Sequence, residues 1–259
     1  MLYAGHDPGA CCRYQQAIVQ WLLGYPERAA TLIRDAQHLS DQLRHPFTGT
    51  ATLWSSVWLH YQRGERAAAA RTSLQMRELA QKHGIVHWLD ASIVMPHVIA
   101  SNRLDAKVLA EMHCELMRVG GAVWRRVFCL CVLATLALGA GQPDEGRQAL
   151  ESVEGAGREG FLAPEIVRLE GELRLQSGSR CNRTVVRRRD RSGSPAQGKS
   201  LELRAAMSLA RLHRQQNRDG GARRTVADIY GWFTEGFDTA DLTAAKALLD
   251  ERSAAQTWK

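Results

Sequence analysis

Apolar residues recur along this chain at helical spacing, in paired stretches. Tyr14, Ile18, Trp21 and Leu22 make one stripe, and Leu32, Ala36, Leu39 and Leu43 make the next. Positions separated by three, four, seven and eight residues share one face of an α-helix, so each stretch predicts an amphipathic helix. Gly24 can stop the first helix, Pro26 can begin the second, and Pro46 closes the pair. A second pair is predicted from Leu53, Val57 and Tyr61 and from Ala67 to Gly84, and a third, weaker at its start, from Trp88, Ile93 and Val94 and from Val108, Met112 and Met117. The fourth runs from Val127 to Leu138 before a stop at Gly139, with its partner over 148–153. A fifth first helix starts at Pro164 and carries Ile166, Leu169, Leu173 and Leu175. The pattern resumes at Lys199 with Leu201, Leu203, Ala206, Leu209 and Leu212, then 222–233, and ends in a helix over about 241–251 capped by Asp238 or Thr239. No segment reads as a buried strand, so the predicted fold class is all-α.

The turns between paired helices recur with a fixed period. Gly24, Gly64, Asn102, Gly141 and Asn217 open similar polar spacers, at steps of 40, 38, 39 and 76 residues. A period of this size marks stacked units, each unable to bury its apolar face alone. Trp21, Trp54, Trp88 and Trp124 fall in the first helices of successive units, and one large aromatic per unit fits packing between neighbours. The spacing resembles long tetratricopeptide repeats, which implies an α-solenoid of antiparallel helix pairs. The expected organisation is a helical array over 1–176, about four and a half helix pairs, then a basic irregular insert over 177–198. A final helix pair with a C-terminal capping helix follows over 199–259.

Two stretches resemble a narrower family. One contains His6, Asp7, Pro8 and Gly9 with Cys11, Cys12, Arg13 and Tyr14, followed by Trp21 and residues 22–26. The other begins at 199–206 and continues to Tyr230, Trp232, Phe233, Glu235, Gly236, Asp238 and Leu242. Both are similar to the C-terminal repeat region of bacterial signalling proteins in which a class III nucleotide cyclase domain precedes an ATPase module. The resemblance covers 3–176 and 199–252. It implies a sensory or regulatory tail that biases upstream domains, and no cyclase metal or base residue has a matching position here. Residues 177–198 depart from it. An Arg-, Ser-, Gly- and Pro-rich stretch replaces the acidic, apolar helix of the family, which suggests a frame slip in the gene.

Charge narrows the partners. Of the formal net charge of +7, most lies in 177–200, where seven basic residues face Asp190 alone; elsewhere 27 basic residues meet 26 acidic ones. The arginine run over 180–191 raises a nucleic-acid alternative, but it lacks interleaved aromatics, and a solvated loop is the favoured reading. The six cysteines form no CxxC pair or disulfide framework, and buried thiols in a reducing compartment are expected. No run of 18 apolar residues predicts a membrane span, and no secretory signal opens the chain, so a cytoplasmic location is expected.

Motifs for chemistry are sparse. Residues 193–200 match the phosphate-loop pattern GxxxxGK[ST], with Gly193, Gly198, Lys199 and Ser200 as a candidate phosphate site for an ATP-binding alternative. The pattern needs a buried apolar strand before it, and Arg187, Arg188, Arg189 and Arg191 stand there instead. Residues 155–160 match GxGxxG between two helices, without a βαβ context. His83 and His87 are four apart across a unit boundary at Gly84, which argues against a metal pair. The expectation is a non-enzyme with no cofactor and no metal. It would present a concave groove to a protein or peptide partner, without membrane or nucleic acid, and would self-associate through an uncapped N-terminal end.

Overall fold

A computed structural model describes residues 5–99, 103–178, 198–215 and 221–251. Among these residues there is no β-strand, and the fold is all-α. The helices are α1 (Pro8–Leu23), α2 (Pro26–Leu43), α3 (Pro46–Arg63), α4 (Arg66–Lys82), α5 (Ala91–Val94), α6 (Ala106–Arg118), α7 (Val123–Ala140), α8 (Pro143–Glu151), α9 (Ala156–Glu159), α10 (Ala163–Gln176), α11 (Lys199–Gln215), α12 (Ala222–Tyr230) and α13 (Ala240–Asp250). Short 3₁₀ turns, Val86–Trp88 and Met95–His97, flank α5.

Local chemistry sets the helix ends. The Asp7 carboxylate accepts from the Ala10 N–H at 2.9 Å and Pro8 follows, so α1 begins with a side-chain cap and a preset φ. At its other end the Gly24 N–H donates to the Trp21 carbonyl and the Tyr25 N–H to the Gln20 carbonyl. This paired bonding satisfies the last carbonyls and requires a left-handed residue, which Gly24 supplies at φ 94°. The same bonds close α3 at Gly64 and α7 at Gly141. The recurring spacer is therefore one repeated helix-stop. The fourth stop falls at Gly141, where the fourth spacer was read, and Gly139, expected to follow the helix, lies inside α7 instead. The third unit also differs, since its first helix is broken into α5 and two 3₁₀ turns, with Trp88 in the first of them. Pro46 opens α3 directly, after Arg44 takes the left-handed turn at φ 49°. In the third spacer Asn102 lies outside the described residues, and Asp105 caps α6 through the Val108 N–H at 2.9 Å.

Consecutive helices pack together. α1 lies against α2 and α3, α3 against α4, α7 against α8, and α10 against both α7 and α8. Of the helices read as first in their pairs, α1 thus stands beside α3 and α7 beside α10. Aromatic rings knit the row. Trp21 meets Trp58 at 5.3 Å between centroids, Trp58 and Trp54 meet Phe128 at 6.3 and 5.8 Å, and Trp54 meets Trp124 at 4.9 Å. Trp54, Trp58 and Phe128 are buried, so these edge-on contacts add to the burial of large apolar area.

α7 is the centre of the fold. It is 18 residues long and by length and composition could cross a membrane, although Arg125 and Arg126 keep it from being an unbroken apolar run. Its neighbours α5, α6, α8, α9 and α10 cover it instead, and 61% of it is buried. Cys129 and Cys131 are buried on it, and burial pushes both thiols up. Cys12 and Cys114 are exposed, unlike the buried thiols expected.

The chain then turns back on itself. α11 packs against α10 and against α1, so one flank of the first helix is covered, while Val19 and Leu23 stay exposed. α12 ends at Tyr230, short of the expected Phe233, and Thr239 precedes α13. Leu203, Ala206, Met207, Val226, Ile229, Phe233 and Leu242 form a second, smaller core.

Replacing Trp54 with Ala removes a fully buried ring that touches three other aromatic side chains, and an expected loss of about 3 to 5 kcal/mol follows. The urea midpoint of the full-length variant checks this, with Trp232→Ala, at a 37% exposed position, losing much less.

Candidate interaction surface

The seam between α11–α13 and the row of first helices holds the densest polar constellation of the described residues. A cavity of about 210 Å³ opens there. Tyr61 and Gln62 from the end of α3, Thr135 of α7, Glu165 and Arg168 of α10, and Arg204, Ser208 and Arg211 of α11 line it, with Asp241 of α13. Arg204 is the hub. Its Nε donates to Asp241 Oδ2 at 2.7 Å, Nη1 to Gln62 Oε1 at 2.7 Å, and Nη2 to the Gln62 carbonyl at 3.0 Å. Its guanidinium lies 4.9 Å from the Trp21 ring centroid and 4.0 Å from Glu165 Oε1. A planar fork that saturates three acceptors and stacks on a ring is a role lysine cannot fill.

Glu165 is buried and faces two guanidiniums. Arg168 donates to both its oxygens, at 2.7 and 2.8 Å, and a third Arg168 nitrogen reaches Glu172 at 2.8 Å. Burial alone would raise the Glu165 carboxyl, but the charge and hydrogen bonds of Arg168, with Arg204 nearby, hold it down at about 2. The pair lies within α10, and the Arg204 guanidinium of α11 faces the same carboxylate at 4.0 Å, so the depressed carboxyl stays charged.

The C-terminal segment also caps the first unit. α2 starts at Tyr25 without a side-chain cap of its own. Glu235, 208 residues away, supplies one: its Oε1 accepts from the Glu27 N–H at 2.9 Å and the Arg28 N–H at 3.1 Å. A carboxylate is well placed there, against the positive end of the helix dipole. The two glycine stops are pressed by the same segment. A Cβ on Gly24 would stand 2.7 Å from the Trp232 ring, and one on Gly64 would stand 2.3 Å from Ala240 Cβ. Both positions are left-handed, so glycine is required twice over, for φ and for space.

The phosphate-loop residues fall at this seam too. Gly193 lies outside the described residues, as does the arginine run. Gly198 backs onto the Leu22 carbonyl, where a Cβ would meet it at 2.3 Å. The Ser200 hydroxyl is buried and donates to the Trp21 carbonyl at 2.6 Å, and Lys199 Nζ bonds Glu202 Oε2 at 2.9 Å. Ser200 thus docks α11 on α1, and Lys199 pairs within α11. The glycine-rich stretch over 155–160 forms α9, with Gly157 wedged against Val127 and Val153. His83 ends α4 while His87 lies in a 3₁₀ turn. Among the described residues, no three His, Cys, Asp or Glu side chains gather as metal ligands.

A second polar group, Asp90 with Arg125, is sealed in the core. Asp90 accepts from Trp54 Nε1 at 2.7 Å and from the Ala91 N–H at 2.8 Å. Arg125 lies 3.8 Å over the Trp88 ring, bonds the His87 carbonyl at 2.7 Å and approaches Asp90 at 3.6 Å. Burial raises the Asp90 carboxyl despite Arg125, and burial lowers Arg125. The pair ties the broken third unit to α7. Glu165, Asp90 and Arg125 carry no motif in the sequence, while Arg204 and Glu235 fall in the stretches that resemble the cyclase–ATPase tail without a role read for either. An ionisable side chain between apolar neighbours on a helix, as at Arg125 beside Val127 and Phe128, is the one local sign available.

The depressed Glu165 carboxyl gives a pH dependence. Its folded value, about 2, lies below the ordinary 4.5, so its contribution is fully present above pH 4.5 and is lost as pH falls toward 2. The loss expected is at most about 3 kcal/mol. Urea midpoints at pH 7, 4.5 and 2.5 should fall more steeply for the native chain than for Glu165→Gln; parallel curves refute the assignment.

Comparison of the chain with family models, with curated proteins and with solved structures gives no match.

Proposed function

We propose that this chain is a tetratricopeptide-like α-solenoid that performs no catalysis and serves as a protein–protein interaction module. The observation that carries the reading is the row of first helices: α1 beside α3 and α7 beside α10, with α2, α4 and α8 packed against α1, α3 and α7. Such a row offers one continuous surface to a protein or peptide, as stacked helix pairs do. Where the row meets the seam it carries charged and hydrogen-bonding groups, Gln62, Glu165, Arg168 and Arg211, around a cavity of peptide side-chain size. The resemblance to the tail of cyclase–ATPase signalling proteins supports a regulatory role for that surface in the bacterial cytoplasm. The segment that carries the most specific part of that resemblance, 230–242, is the one that caps α2 and covers Gly24 and Gly64.

The ATP-binding alternative requires Lys199 and Ser200 to leave Glu202 and Trp21. Titration of ATP into the full chain should show no saturable binding in the micromolar range; such binding, lost in Lys199→Ala, overturns the non-catalytic reading. A photo-cross-linking residue placed at Arg211, in the cell, should capture one defined protein or peptide. The same residue at the exposed Glu78, on α4, should not, and equal capture from both places speaks against the surface.

A further inference from the structure

Residues 198–251 are joined to the preceding helices by a different kind of contact from the one that joins those helices to each other. Within the array the helices share one apolar core, which reaches the C-terminal unit only at Leu201. α11, α12 and α13 otherwise surround a core of their own. The two are held together by hydrogen bonds beside small apolar contacts, in which Trp232 and Phe233 close on Gly24 and Ala240 on Gly64. Ser200, Arg204 and Ser208 lie at four-residue steps, one stripe along α11. That stripe meets, in order, the Trp21 carbonyl, Gln62 and Glu172. Glu235 adds its two bonds to the start of α2, and the Tyr25 and Trp232 rings meet at 5.3 Å.

A seam of this composition is specific but separable. Each donor and acceptor can exchange its partner for water at little net cost, whereas a shared apolar core cannot be opened that way. The segment between Gly178 and Gly198 has 19 residues, and a chain of that length spans up to roughly 60 Å when extended. The docking face is therefore within reach of a neighbouring molecule's C-terminal unit, and it makes the same contacts with either copy.

We infer that the face built by α1, α3 and α10 accepts residues 198–251 of a second copy of this chain, so that two molecules exchange their C-terminal units. The occupant is specified by the stripe: a hydroxyl, an arginine and a hydroxyl at four-residue steps, with a carboxylate placed to cap α2. Exchange of an identical element needs no surface beyond the one already formed within a single molecule. It does not depend on the identity of any outside partner, and it goes beyond the interaction-module reading.

Two full-length variants test it. Ser200→Glu places a carboxylate against the Trp21 carbonyl and spoils the unit that docks. Gln62→Arg sets a cation against Arg204 and spoils the face that receives it. Each alone should run as a single chain in light scattering. Mixed in equal amounts, the intact unit of the second can dock on the intact face of the first, and a species of twice 28.8 kDa should form, at least tenfold enriched over either variant alone. A mixture that stays at single-chain mass, with helical circular dichroism retained, overturns the inference. Should either variant lose its helical signal, the native chain serves. Native mass spectrometry of a mixture of ordinary and ¹⁵N-labelled chains, held at high concentration, should give mixed dimers, which full-length Glu235→Lys weakens at least tenfold. No mixed dimers, or dimers indifferent to that substitution, overturn it equally.

Discussion

The fold depends on one constraint: a pair of helices about 40 residues long has more apolar surface than it can cover by itself. Every unit therefore needs a neighbour, and the row of first helices is where that need is met. α7 shows the limit of this rule. It is covered by α5, α6, α8, α9 and α10, which is why a helix apolar enough for a membrane lies in a protein core instead. The aromatic contacts run from Trp21 through Trp58, Phe128 and Trp54 to Trp124, so the largest side chains sit where α1 meets α3 and where α3 meets α7 across the broken third unit.

Polar groups handle what apolar packing leaves unspecified. In the core, the broken third unit has no continuous helix to set its position, and Asp90, Trp54 and Arg125 supply the directional contacts that fix it on α7. At the seam, Glu235 completes a helix start that has no cap of its own, and Arg204 joins α3, α10 and α13 around one guanidinium. The two sites use the same chemistry for different ends. The core pair is sealed from water, and burial opposes its charges. The seam opens on a cavity, and Glu165 there remains ionised against two arginines. Only the second arrangement leaves polar surface that another molecule can reach, which is why the proposed interaction surface is placed there.

Much of the helical plan was legible. Gly24, Gly64 and Gly141 mark helix stops because a left-handed residue is needed wherever the last carbonyls are bonded by the following turn. The apolar stripes of α1, α3 and α10 appear in the order read from their period. The errors are equally physical. Gly139 is a glycine tolerated inside a helix whose burial outweighs its weak propensity, so the stop falls at Gly141. Trp88 was expected on a helix, but Pro96 and the tie between Asp90 and Arg125 leave only a single turn at α5. Lys199 and Ser200 matched a phosphate loop in letters, and in space Ser200 docks a helix while Lys199 pairs with Glu202, because a short pattern carries no information about what stands opposite it.

The sequence by itself determined the helices, their turns and the repeated need of each pair for a neighbour, since these follow from contacts within about one repeat. Tertiary structure alone decided that the C-terminal unit returns to the first two hairpins. Glu235 and the Glu27 amide are 208 residues apart, and a hydrogen bond over that separation leaves no periodic trace in the chain. It also decided which charges are struts and which face open space. Whether a carboxylate is held near 2, like Glu165, or raised, like Asp90, depends on how many guanidiniums and how little water the folded chain places around it.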